Sequence, residues 1–274
     1  MVDVHCHLNF HAFKKDHDDV IKRAFDAGVS KIINVGTKLD SSLKAIELAQ
    51  KYDSPAGELY AIVGVHPHHA DKLDLSAGSG QDWIEELEKL AKHPKVVAIG
   101  ETGIDYFRYK SNEIVDLKLQ KDVFVKQVEL SLKLKLPLQI HNRHAGKDIL
   151  EILSSYKSRL MNPPGMFHCM SGNIDFLKRV LNLGFYIGFD GNITYEGLAP
   201  REDTLLIDLV KETPLDKLVA ETDSPFLTPV PYRGRKNEPS CVIIVGQFLA
   251  KIKGVSFEKM AQKTTENAHN LFNI

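Results

Sequence analysis

Two histidines one residue apart, His5 and His7, stand at the end of the first apolar run of the chain. Side chains alternate along a strand, so the two imidazoles share one face while Cys6 points to the other. Two imidazoles on one face can chelate a metal, although a His-x-His pair alone is short enough to arise by chance. Four more residues carry the reading. Glu101 ends Val-Val-Ala-Ile-Gly-Glu, His141 ends Leu-Pro-Leu-Gln-Ile-His, His168 ends Gly-Met-Phe-His, and Asp223 follows the eighth run in Glu-Thr-Asp-Ser-Pro. Ionisable groups at the ends of apolar runs are costly to bury without a partner or a cation. Mixed imidazole and carboxylate ligands suit zinc, manganese or magnesium, and the residue types do not choose among them.

The elements that must position these residues recur in a simple order. Short β-rich apolar runs cover 2–7, 31–36, 59–66, 96–101, 136–141, 165–168, 185–189 and 217–221. Amphipathic stretches lie between them. In 18–27, Val20, Ile21, Ala24 and Phe25 form a helical stripe, and 117–134 has the same period. Gly28 and Gly184 stand where left-handed helix caps belong, and helical patterns at 240–253 and 257–272 close the chain. Eight strands alternating with helices build either a closed barrel or an open doubly wound sheet. An open sheet would spread the candidate residues along a wide edge, whereas closure brings all eight strand ends to one rim. The expectation is a single-domain (β/α)8 TIM barrel over residues 1–274 with a metal site at the C-terminal rim.

Six ligands suggest two divalent ions, Mg, Mn or Zn. A carboxylate can bridge ions about 3.5–4 Å apart, and Glu101, midway around the rim, is the natural bridge. His5, His7 and Asp223, from the neighbouring first and eighth strands, would complete one site. His141 and His168, from the fifth and sixth, would hold the other. Alternation turns Cys169 away from the His168 face.

Composition bounds the rest. With 274 residues, 43% hydrophobic and 26% charged, the chain is neither disordered nor collagen-like. A chain this long can bury a core without a metal, so an ion would serve chemistry. The first ten residues include Asp3, His5 and His7, which predicts no signal peptide. No apolar run approaches the about 20 residues of a membrane helix. Three cysteines, Cys6, Cys169 and Cys241, fit a reducing cytoplasm better than a disulfide framework. A net charge of −1 argues against salt-driven coating of duplex DNA and leaves room for a local grip on a few phosphates.

In these residues the chain resembles the TatD family of metal-dependent deoxyribonucleases, among the amidohydrolase-like metal barrels. The matching pieces run in order over the whole chain: Asp-Val-His-Cys-His-Leu from Asp3, Val-Gly-Val-His-Pro-His from Val63, and Ile-Gly-Glu-Thr-Gly-Ile-Asp-Tyr from Ile99. Then come Pro-Leu-Gln-Ile-His from Pro137, with Arg143 and Ala145, Phe-His-Cys from Phe167, Glu-Thr-Asp-Ser-Pro from Glu221, and Tyr-Arg-Gly-Arg-Lys-Asn-Glu-Pro from Tyr232. The tail from Asn267 to Leu271 and Phe272 matches too. The resemblance implies a two-metal phosphodiesterase on DNA, acting as a 3′-to-5′ exonuclease or an endonuclease. Family members have also been credited with removing D-amino acids from tRNA. The implied metal set is the same six residues. Related metal barrels bridge their ions with a carbamylated lysine, and Glu101 at that place favours the TatD branch. Asp190, where many relatives carry a small residue, is a departure: it would repel a phosphate or add a ligand.

The expected mechanism is in-line attack by a hydroxide shared between two ions, which lower its pKa and neutralise charge on the phosphodiester. Asp223 would orient the nucleophile and take its proton. Glu221, two residues earlier on the same strand face, would assist, or would line the barrel paired with a lysine. His66 is expected to contact substrate at the rim, with His68 and His69 solvated in the loop. Arg143 suits a phosphate or a carboxylate. Tyr232, Arg233 and Asn237 in the basic loop 231–239, with Arg235 and Lys236, are expected to hold a single strand, though three charges in a row also make an ordinary solvated loop. Asp105 to Tyr109, Tyr106 included, offers a second lip. The preferred substrate is DNA, single-stranded or with frayed ends, cut from the 3′ end. The alternative is an ester hydrolase such as a D-aminoacyl-tRNA deacylase, because the same hydroxide would attack a carbonyl. The intact six-ligand set speaks against a binding protein with a decayed site.

Overall fold

The apolar runs pair in chain order. A computed structural model describes residues 1–54, 57–73, 82–108 and 114–274. Its barrel strands are β1 (Val2–Cys6), β2 (Lys31–Val35), β3 (Gly57–Val63), β4 (Val96–Asp105), β5 (Leu138–Arg143), β6 (Gly165–Phe167), β7 (Tyr186–Phe189) and β8 (Leu218–Ala220). Each lies parallel to the next, and a two-residue strand, Asp53–Ser54, folds back antiparallel on β3. The flanking helices are α1 (His17–Asp26), α2 (Leu39–Lys51), α3 (Asp82–Ala91), α4 (Leu117–Leu134), α5 (Gly146–Ser155), α6 (Ile174–Asn182) and α7 (Leu206–Glu212), followed by α8 (Val242–Lys253) and α9 (Phe257–Phe272). Gly28 and Gly184 both sit at φ 93°, as their cap positions predict. Among the described residues no single helix is long and apolar enough to cross a membrane.

Two apolar layers follow from strand alternation. Ile32 and Leu59 face the outer layer with helix residues such as Phe124 and Leu249. Val4, Ile33, Val35, Ile62, Ala98, Met166 and Val219 fill the barrel interior, over Leu271 and Phe272 of α9. This interior is a packed floor, with Gln139 donating to the Val4 carbonyl (2.9 Å) inside it, and the imidazole and carboxylate cluster gathers above it.

The seam between first and last strands is made beyond the end of β8. Asp223 donates its amide to the His5 carbonyl (2.9 Å), and His7 donates to Ser224 (2.8 Å). Asp3, fully buried, accepts from the Thr222 amide (2.9 Å) and hydroxyl (2.7 Å) across the same seam. Burial pushes its carboxyl up to about 8 in spite of these donors. Asp3→Ala strands two buried donors where the barrel closes and should cost about 2–3 kcal/mol, read as a lower urea midpoint of the metal-free protein. A midpoint within error of the parent would show that the seam does not depend on it.

Two glutamines on one face of α4 hold the rim. Gln127 accepts from the Val65 amide (2.8 Å) and donates to its carbonyl (2.9 Å). Gln120 does the same for Asp105, at 2.8 and 3.1 Å. Each side-chain amide substitutes for a missing neighbour strand and fixes the backbone beside His66 and at Asp105. Strands β4 and β5 run further than their apolar runs suggest. After an irregularity between Ile99 and Thr102, pairing resumes through Gly103 with His141 to Asp105 with Arg143. Glu101 and His141 therefore lie within strands and not at their ends. Backbone pairing needs no apolar side chain, so the apolar run understated both lengths.

Candidate metal centre

Glu101 is the middle of the rim cluster, and its two oxygens face different ways. Oε2 stands 3.9 Å from His5 Nε2 and 3.7 Å from His7 Nε2. Oε1 stands 2.9 Å from His141 Nδ1, 2.8 Å from His168 Nε2 and 3.5 Å from His66 Nε2. Asp223 Oδ1 lies 3.5 Å from both His5 Nε2 and His7 Nε2. The donor atoms of His5, His7 and Asp223 fall within 4.8 Å of one another, as do those of His66, Glu101 and His141 and those of His5, His168 and Glu221. As alternation requires, Cys6 turns outward, its thiol on the Ile33 carbonyl.

The donor set has the chemistry of a cation site. His7 Nδ1 is 2.9 Å from the Val35 carbonyl, which can only accept, so Nδ1 carries the proton and Nε2 presents its lone pair. That lone pair meets His5 Nε2 at 3.1 Å with two carboxylates alongside, a grouping that a divalent ion completes. The His141 Nε2 sits 3.0 Å from Asp105 Oδ2, the carboxylate–histidine arrangement that orients a ligand ring and raises its basicity. Burial alone would lower the His141 pKa, but its bonds to Asp105 and Glu101 outweigh it and carry it up to about 10. Metal uptake through His141 would require the loss of that proton and would be favoured as pH rises. Burial opposes the charge on Glu101 as well, yet the surrounding imidazoles, His66 and His168 first, hold it well below the usual carboxylate range. His5 and His66 are driven well below 6.5 by burial and are neutral, ligand-ready imidazoles.

A cavity of about 520 Å³ opens above the cluster, with Glu101, His7, His66, His141, His168 and Asp223 in its floor and Arg143 in its wall. His68 and His69 line it too, so they are not merely solvated; His68 Nε2 is 3.0 Å from Asp105 Oδ2. Asp105 was legible only as lip, although its even spacing from Glu101 signals the same strand face. Cys169 also lines the cavity. Strand alternation does not reach Cys169, because β6 ends at Phe167 and Cys169 adopts φ 45°.

Other expected contacts lie elsewhere. Glu221 does not share a face with Asp223, because β8 ends at Ala220 and Asp223 turns to φ 51°. Glu221 is buried beneath His168, its Oε1 on the Cys169 amide and 4.0 Å from His168 Nδ1, and no lysine pairs with it among the described residues. A Cβ on Gly188 would come within 2.7 Å of that oxygen, so glycine there makes its room. Burial, and then the nearby Asp190 carboxylate, raise the Glu221 pKa well above 4.5. Asn237 is fully buried and does not line the cavity: it donates to the Thr222 (2.8 Å) and Phe226 (2.6 Å) carbonyls and accepts from the Glu238 amide (2.9 Å). Tyr106 is tied to Asp148 by its hydroxyl, outside the cavity lining. Tyr232 and Arg233 do not line the cavity either; Arg233 lies over the Tyr195 ring at 3.9 Å, Arg235 over Tyr232 at 5.7 Å, and Lys236 pairs with Asp16 at 2.7 Å. None of the cations Arg233, Arg235 and Lys236 lines the cavity. In the other lip, Phe107 carries Arg143 and Arg201 on its ring, each at 5.2 Å, while Tyr109 lies outside the described residues. Asp190 is fully buried and caps the turn Gly191–Thr194 by accepting from the Asn192 amide (2.8 Å), so it does not stand among the cavity walls.

A parallel barrel that gathers imidazoles around a two-faced carboxylate above a packed floor defines a metal-dependent hydrolase. The chain belongs to the TatD-related DNase family, whose sequence model matches residues 2–273. It is 38% identical over 275 residues to the uncharacterised metal-dependent hydrolase YabD of Bacillus subtilis, covering 100% of this chain and 99% of that one. It is 35% identical over 280 residues to the 3′-5′ ssDNA/RNA exonuclease TatD of Citrobacter rodentium, covering 100% and 98%. Among solved structures, the TatD homologue YjjV of Escherichia coli K12 superposes with a TM-score of 0.86 at 29% identity, covering 100% of this chain and 98% of that one.

Proposed function

We propose that the chain is a two-metal exonuclease that removes nucleotides from the 3′ end of single-stranded or frayed DNA. The observation that carries the two-ion reading is Glu101, whose Oε2 faces His5 and His7 while Oε1 faces His141 and His168. His5, His7 and Asp223 would hold one divalent ion, His141 and His168 the other, with Glu101 between them. Such ions supply a water of lowered pKa and neutralise charge on a phosphodiester. The nucleic-acid substrate is supported by the Citrobacter relative, named for single-stranded DNA and RNA.

The protein's own groups divide the remaining work. Asp223 reaches the cavity beside His5 and His7 and is placed to take the proton of the attacking water. Arg143 projects into the same cavity with its guanidinium stacked on Phe107, a pre-oriented fork for a phosphate. The packed floor below excludes water from behind the cluster. Three free cysteines suit the cytoplasm, the compartment this reading assigns.

Metal-titrated digestion of 5′-labelled DNA and RNA oligonucleotides tests the reading. A ladder shortening stepwise from the 3′ end and dependent on Mg²⁺, Mn²⁺ or Zn²⁺ is the expected result. An untouched oligonucleotide from metal-loaded protein overturns it and turns the search to esters such as D-aminoacyl-tRNA. In the same assay Arg143→Ala should raise KM about tenfold with bound metal unchanged, and Arg143→Lys should recover part of the loss. Equal KM values would remove Arg143 from phosphate binding.

A further inference from the structure

Phe226 is a large apolar side chain left 52% exposed, three residues past Asp223. It is not loosely held. Its amide donates to the Asp223 carbonyl (2.9 Å), and its own carbonyl accepts from the buried Asn237 side chain (2.6 Å). Asn237 is itself anchored by its amide to the Pro225 carbonyl (3.1 Å). The backbone therefore fixes an apolar ring in solvent at the mouth of the site, where hydrophobicity alone would turn it inward.

The ring continues an aromatic wall that begins at the metal cluster. Phe10 stacks flat on His7, with centroids 4.3 Å apart and planes at 12°. Phe226 stands edge-on to Phe10 at 6.3 Å and to His7 at 6.4 Å. Phe10 and Phe226 line the main cavity and also a second cleft of about 420 Å³ on its flank. That cleft is walled by Lys38 and Lys44 at the start of α2, against one carboxylate, Asp40, which pairs with Lys38 at 3.1 Å. An exposed ring on the partition between a hydrolytic cavity and a basic cleft is placed where a base beside a cleaved phosphodiester would lie.

We infer that Phe226, backed by Phe10, stacks the nucleobase flanking the scissile bond, and that the strand runs on into the Lys38 and Lys44 cleft. The inference rests on the nuclease reading and names the route of its substrate. It sends the strand across the start of α2, past Lys38 and Lys44. Asn237 becomes a positioning residue that holds Phe226, which explains a buried asparagine with no reach to substrate.

The test uses metal-loaded enzyme and two probes. The first is an oligonucleotide with 2-aminopurine beside a cleavage-resistant phosphorothioate linkage, whose emission falls when the base is stacked. The second is a cleavable oligonucleotide pair, one normal and one abasic at that position. Wild type should quench the first probe, Phe226→Ala should restore its emission, and Phe226→Tyr should keep the quenching. Phe226→Ala should raise KM about tenfold on the normal strand and leave KM on the abasic strand at the wild-type value. Quenching that survives Phe226→Ala, or an equal rise in KM on both strands, overturns the inference while the nuclease reading stands. Quenching lost in Phe226→Ala by an enzyme that cuts neither strand refutes the nuclease reading alone. A probe that neither binds nor is cut overturns both.

Discussion

Glu101→Ala should reduce metal-dependent hydrolysis by about 10³ in kcat/KM or more while the barrel stays folded. Removing one preorganised group that balances charge in a hydrolytic site commonly costs about 10²–10³, and Glu101 serves both halves of the cluster. No other carboxylate among the described residues stands within 4 Å of ring nitrogens of His5, His7, His66, His141 and His168 together. Its loss leaves His141 with Asp105 alone and leaves His5 and His7 with Asp223 alone. Bound metal per chain should therefore fall, measured by elemental analysis of purified protein. Glu101→Gln separates charge from shape: it keeps the volume, loses the anion and should fail as badly. The fold should survive because the interior cluster beneath the rim is apolar and independent of the ions. A Glu101→Gln protein with full metal content and full activity would dismiss the bridging role.

Asp223→Asn should lower kcat by about 10²–10⁴, the range lost when a positioned proton acceptor is removed. Asparagine is the informative substitution because Asp223 sits at φ 51°. Asparagine tolerates that left-handed conformation, whereas alanine would add about 1–2 kcal/mol of backbone strain at the barrel seam. The seam bond from the residue 223 amide to the His5 carbonyl is thereby kept. His5, His7 and Glu101 remain to hold metal, so metal content should drop less than with Glu101→Ala. A rise in KM with unchanged kcat would instead make Asp223 a binding group and send the search for the proton acceptor back to the cavity wall.

Where the sequence reading failed, local pattern stood in for geometry that longer-range contacts decide. Alternation placed His5, His7 and Cys6 correctly because β1 runs through Cys6, but it misplaced Cys169, which follows the last residue of β6. The same rule put Glu221 beside Asp223, although the strand ends between them and the chain turns. Charge counting made a substrate grip of Arg233, Arg235 and Lys236. None of the three lines the cavity, and Lys236 pairs with Asp16. Asp105 and His68 were missed as partners of the metal cluster because the apolar run stops at Glu101, while the strand extends four residues further.

The order of strands, the need for closure and the six residues around the rim were determined by sequence alone. Apolar runs of β period set the alternation, and ionisable groups at their ends are tolerable only if closure gives them one another. The tertiary structure decided which oxygen of Glu101 faces which imidazoles and how Asp105 orients His141. It also decided that Asp190 and Glu221 turn inward and that Phe226 stays in solvent. Those outcomes depend on strand register, on where each ladder stops and on side chains such as Gln120, Gln127 and Asn237 clamping backbone far away in the chain. Such contacts are set by the closed packing of the whole barrel, and no window of sequence contains them.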